Sequence, residues 1–123
     1  MQLTLTPHQL SIQLEWYEQL WAFTLHNPIV IPLAHLVGAT TEKPQSRWTD
    51  LRAPGTYLPG VIKAGTYYTR AGKEFWYVTA DPHVLTLELC EEPYQRLILA
   101  LENPQDWATR LTQAKESLVQ HQV

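Results

Sequence analysis

The sequence predicts a mainly β, single-domain protein closed by one C-terminal helix. Nine prolines, with short apolar runs between them, favour strands and turns over a helix bundle. Many of those runs alternate apolar and polar residues with the period of a half-buried strand. The C-terminal segment changes to helical spacing behind a capping pair. The length of 123 residues is enough chain for one continuous core, so residues 1–123 are read as one domain. Hydrophobic content of 45% and charged content of 17% are globular values.

Leu3 and Leu5 alternate with Thr4 and Thr6, and Leu10, Ile12 and Leu14 alternate with Ser11, Gln13 and Glu15. These are two strands of a hairpin turning at Pro7-His8. Residues 15–23 hold four aromatics, which suit a strand. The spacing of Tyr17, Leu20 and Trp21, with no β-branched residue, favours a short helical turn. Residues 29–37 read as a third strand closed by Gly38, and Pro32 inside it marks an edge or a bulge. Residues 39–60, with three prolines and two glycines, read as a long connection into which Trp48, Leu51, Tyr57 and Leu58 pack down.

A fourth strand spans 61–69, with Gly65 as a bulge or close approach, and Arg70-Ala71-Gly72-Lys73 turns it into a fifth over 74–79. In the fifth, Phe75 and Tyr77 share one face, Trp76 and Val78 the other. Leu85, Leu87 and Leu89 define the inward face of a sixth strand, and Leu97, Leu99 and Leu101 that of a seventh. Asn103 and Pro104 then fit the N-cap and first position of a helix, with Asp106 in its first turn. Trp107, Leu111, Ala114 and Leu118 form its apolar stripe, and Trp107 is expected to plug the end of the sheets.

No apolar run approaches the roughly 18 residues of a membrane helix. The opening Met1-Gln2-Leu3-Thr4 lacks the basic and apolar regions of a signal peptide. With Cys90 as the lone cysteine, the expected setting is cytoplasmic.

The net charge of −3 is unevenly spread. Lys43, Arg47, Arg52, Lys63, Arg70 and Lys73 face one acid, Asp50, across residues 43–73, while the remainder is strongly acidic. Arg52, Lys63, Arg70 and Lys73 are therefore the candidates for holding an anionic ligand or membrane surface. Interleaved aromatics make Trp48 and Tyr57, with the edge residue Pro32, the candidate interaction surface.

Other chemistries find less support. The glycines at 55, 60 and 65 lack the Lys and the following helix of a phosphate loop, because Val61 and Ile62 continue as strand. The five histidines are scattered without metal-ligand spacing. Glu91 and Glu92 beside Cys90 disfavour its thiolate, and no serine sits in a nucleophile elbow. No catalytic residues, cofactor or metal are expected.

Residues 55–66, Gly-Thr-Tyr-Leu-Pro-Gly-Val-Ile-Lys-Ala-Gly-Thr, resemble the G-T-x-L-P-G-x-I-x-x-G-T pattern of small bacterial pleckstrin-homology-like domain proteins. Arg70-Ala71-Gly72-Lys73-Glu74-Phe75, Val84-Leu85-Thr86-Leu87-Glu88-Leu89 and Asn103-Pro104 extend that resemblance along most of the chain. It implies a barrel of two near-orthogonal antiparallel sheets, about seven strands in all, plugged by the terminal helix. It implies no activity. Lipid-binding pleckstrin domains carry basic residues between their first two strands, whereas here Pro7-His8-Gln9 carries none. The expectation is a non-enzymatic binding or assembly module that contacts a protein partner or its own copies. Binding of anionic ligands or a membrane surface through residues 43–73 is the alternative.

Overall fold

The computed structural model describes the backbone of residues 1–22, 28–42, 51–58, 62–69, 72–79 and 83–121, and the side chains of these except residues 21, 51–58, 62 and 119–121. In chain order the elements are β1 (Gln2–Leu5), β2 (Gln9–Gln13), α1 (Trp16–Ala22), β3 (Ile29–Pro32), a 3-10 turn (Leu33–His35), β4 (Leu36–Thr40), β5 (Leu51–Leu58), β6 (Ile62–Thr69), β7 (Gly72–Thr79), β8 (Val84–Leu89), β9 (Arg96–Ala100) and α2 (Pro104–His121). The strands form two sheets, β1-β2-β3 and β4-β8-β9-β7-β6-β5. The protein is thus mainly β with a C-terminal helix, and its sheets do not close into a barrel.

The expected hairpin pairs Leu3 with Ile12 and Leu5 with Leu10, and the short helix follows it. Four expectations are corrected. The single strand over 29–37 is two strands in different sheets, because the 3-10 turn at Leu33–His35 redirects the chain between them. Gly38 lies within β4 instead of closing it, beside a bulge at Val37. Part of the long connection is strand β5, whose pairing with β6 shifts register between Arg52 and Gly55. A bulge at residues 53–54 admits Pro54 into a strand without costing a ladder bond. Finally, the sheets are not wholly antiparallel, since β7 and β9 pair in parallel from Glu74 opposite Arg96 to Tyr77 opposite Leu99.

The main core lies between the sheets. Leu10, Ile12 and Ile31 of the smaller sheet join Phe75, Tyr77, Leu85, Leu87, Leu97 and Leu99 of the larger. On the other face of the larger sheet, Tyr67, Trp76, Val78, Val84 and Ile98 form a second buried cluster. β7 is therefore buried on both faces, which is why residues 75–78 are apolar without alternation.

Helix α2 starts at Pro104, where the Asn103 carbonyl accepts a hydrogen bond from the Trp107 N–H at 3.3 Å. Asn103 itself is left-handed, with φ of 55°, a conformation that asparagine tolerates better than most residues. The plug is Leu111, fully buried in the core, with Ala108 beside it. Trp107 is only half-buried at the edge of that contact, with the Arg110 guanidinium 4.2 Å from its ring centre. The helix runs beside β4, and the Lys115 ammonium donates to the Leu36 carbonyl. One edge of the larger sheet is covered in this way. Among the described residues, no helix is long and apolar enough to cross a membrane.

Candidate interaction surface

Helix α1 is short, and its orientation is set by its only charged residue, Glu18. Glu15 occupies the N-cap position, and the Glu18 carboxylate reaches back to accept its backbone N–H at 2.8 Å. This is half of a capping box. The same carboxylate oxygen meets the Met1 amino group at 2.6 Å. The two partners draw Glu18 inward until it is 5% exposed, and Ala22, one turn on, is buried with it. Tyr77 lies within range of that charge. Burial first, then Glu18 and Tyr17, push its hydroxyl up from 10.0 to about 12.

Turning Glu18 inward turns the opposite face outward. Trp16 is 74% exposed, Leu20 64% and Tyr17 44%. The Trp16 and Tyr17 rings meet edge to face at 5.8 Å between centres. The helix therefore has its acid inside and its apolar ridge outside, the reverse of the usual surface helix.

Of the four residues of the expected anion site, Lys63 and Lys73 have described side chains, and the two do not converge. Lys63 is buried, its ammonium 3.5 Å from the Trp76 ring centre and 4.2 Å from that of Tyr67. Lys63 is registered opposite Val78. Lys73 is five residues from Val78 along β7, so it projects from the other face, where its ammonium lies 4.8 Å from the Tyr94 ring centre. The sheet itself separates the two cations. Arg52 is described in backbone only, opposite Tyr67, and Arg70 lies outside the described residues. Arg96, beyond the segment, is committed to the buried Glu74, with Nε at 2.6 Å from its carboxylate. The Trp76 indole N–H donates to the other oxygen of that carboxylate at 3.1 Å.

Of the expected interaction residues, Trp48 lies outside the described residues, and Tyr57 is described in backbone only, opposite Lys63. Pro32 ends β3, at one edge of the smaller sheet. The Leu33 N–H donates to the His8 carbonyl at 2.9 Å, so by alternation Val30 and Pro32 turn their backbone groups away from β2. Pro32 has no N–H to offer there. The edge is poor in donors, which blunts strand addition. Residues 15–23 read as a short helical turn with no face assigned to its aromatics, so the ridge on α1 is not among the expected surfaces. Trp16 and Leu20 at a spacing of four, with Glu18 on the opposite side, were the signal.

Two other places hold polar groups. The His35 ring has Glu92 at 2.7 Å from Nδ1 and Glu91 at 3.5 Å from Nε2. The carboxylates meet opposite ring nitrogens, so the donors do not converge. No group of three metal-ligating side chains occurs among the described residues. A depression of about 350 Å³ beside the start of α2 is lined by Thr41, His83, Val84, Asn103, Pro104, Gln105 and Asp106. No family model matches the chain, and neither does any curated protein or solved structure.

Proposed function

We propose that this chain is a non-enzymatic, protein-binding module whose contact surface is the outward ridge of α1. The observation that carries the reading is the inversion of that helix, with Trp16, Tyr17 and Leu20 exposed and Glu18 buried. Burying exposed apolar area drives association, and tryptophan and tyrosine are the residues that most often dominate interface energies. Among the described residues, neither Trp16 nor Leu20 finds packing that buries it.

The membership of a pleckstrin-homology-like family is part of this proposal. The motif over residues 55–66 and a C-terminal helix docked on the sheets support it. The three- and six-stranded sheets and the parallel β7–β9 pair depart from the family's arrangement. Anion binding is the weaker reading, because Lys63 is buried between rings and Lys73 lies across the sheet from it.

The test is a photo-crosslinking amino acid placed at Leu20 in living cells, with the exposed Thr112 of α2 as the control position. Protein adducts formed from position 20, absent from position 112 and lost on Trp16→Ser, are the expected result. Equal adduct patterns from both positions sink the reading.

A further inference from the structure

We infer that the α1 ridge is a self-association surface, occupied by the same ridge of a second copy across a two-fold axis. The inference rests on the protein-binding reading above and names its partner. Geometry comes first. Trp16 and Leu20 are one turn apart and both exposed, so an antiparallel crossing of two α1 helices sets Trp16 of each copy against Leu20 of the other. The axis then passes near position 18, whose side chain points inward and leaves room for close approach. Both anchor pairs form at once, as an isologous contact requires.

Area is the second argument. Aromatic side chains carry roughly 150–250 Å². At exposures of 74%, 44% and 64%, Trp16, Tyr17 and Leu20 together present about 350–400 Å² of apolar side chain. Two copies thus bring together about 700–800 Å². Interfaces are typically a little under 60% apolar, so this implies a total near 1,300 Å², within the roughly 1,200–2,000 Å² of specific interfaces. The ridge is convex, and the depression beside α2 offers only Val84 and Pro104 as apolar lining among polar groups. Ridge against ridge therefore fits better than ridge into that depression.

Charge is the third. The ridge itself carries no ionised group. Glu15 is exposed beside it, but the two copies of Glu15 are six positions apart in the crossing, about 9 Å along the axis. At physiological salt they are screened over about that distance. Each copy has a net charge of −3, so overall repulsion opposes the dimer and salt relieves it.

The experiment is the solution mass of the purified chain by light scattering or sedimentation, from about 10 μM to about 1 mM, a range that spans weak, dissociable dimers. The expected result is a rise from 14.2 kDa toward twice that value, steeper at high salt, with Leu20→Glu weakening association at least about tenfold. A mass fixed at the monomer value throughout overturns the inference, as does a dimer that is indifferent to Leu20→Glu or is dissolved by salt. A second variant guards against a folding artefact. Tyr17→Cys in a Cys90→Ser background should oxidise to a disulfide-linked dimer, whereas Thr112→Cys should not. Crosslinks from position 20 to another protein, with a mass that stays monomeric, reject the second copy as occupant while leaving the protein-binding reading standing. The absence of both rejects both.

Discussion

The Lys63 ammonium sits 3.5 Å from the centre of the Trp76 ring and 4.2 Å from that of Tyr67, two rings that meet edge to face. At 7% exposure it is the one buried Lys or Arg side chain among the described residues. The contact joins it to a larger network, because the Trp76 indole N–H donates to Glu74 and Glu74 binds Arg96. A desolvated cation–π contact of this kind stabilises by about 2 kcal/mol. Lys63 should therefore be the slowest of the four lysines to acylate when the folded protein meets an amine reagent. Mass mapping of a brief labelling experiment checks this. Labelling of Lys63 as fast as Lys73 would show that its ammonium is open to water.

Glu74 is 2% exposed and depends on Arg96 for compensation. Removing one partner of a buried pair costs roughly 3–5 kcal/mol because the other charge is stranded. Arg96 is partly exposed, so water offsets some of that loss and about 2–3 kcal/mol is expected for Arg96→Met. Arg96→Met with Glu74→Gln should recover part of the loss. Denaturant titration of the three variants decides it, and a single variant within about 0.5 kcal/mol of the wild type would refute the dependence.

Leu111 and Trp107 divide the α2 contact unequally. Leu111 is fully enclosed by the core, and Trp107 lies at its margin. Leu111→Ala should destabilise by about 2–5 kcal/mol, and Trp107→Ala by less, despite the larger side chain. The reverse order in chemical denaturation would restore Trp107 as the plug.

The Tyr77 hydroxyl titrates at about 12 instead of its ordinary 10.0. Between these values the folded state keeps a proton that the unfolded state has lost, so stability falls as pH rises from about 10 to about 12. The contribution is fully present below pH 10. Tyr77→Phe should flatten this alkaline loss relative to the wild type in denaturation experiments at pH 9 to 11. An unchanged slope would place the loss on other groups.

Much of the fold is legible in residue order, and the misses share physical causes. Alternation reveals the core-facing residues of β2, β8 and β9 but not that Val84, Thr86 and Ile98 on the other face are buried as well. Capping with apolar spacing places the start of α2 at Pro104. Alternation does not reveal which strand lies next to which. Nothing in residues 74–77 and 96–99 announces a parallel pair. The 3-10 turn at Leu33–His35 is invisible because Leu33-Ala34-His35 holds no Gly, Asn or Asp to signal a turn. β5 hides behind Pro54, which is read as a strand breaker until a bulge is supplied. For the candidate site, the charge run over 43–73 names residues but not faces. One register assignment is enough to separate Lys63 from Lys73.

The place of β9 has a consequence for how the chain assembles. In the larger sheet, β9 lies between β8 and β7, joining the β4–β8 pair to the β7–β6–β5 ladder. Until residues 96–100 arrive, those two parts have no shared strand, and β7 and β8 must stay apart although they follow each other in sequence. During synthesis the nascent chain can form hairpins early, but it cannot join the two parts until its penultimate element has been made. Contacts this distant along the chain slow folding, and the unpaired edges of β7 and β8 are exposed while they wait. A chain cut after residue 95 should therefore yield a sticky, partly ordered intermediate, with β9 acting as the keystone that releases the protein from aggregation risk.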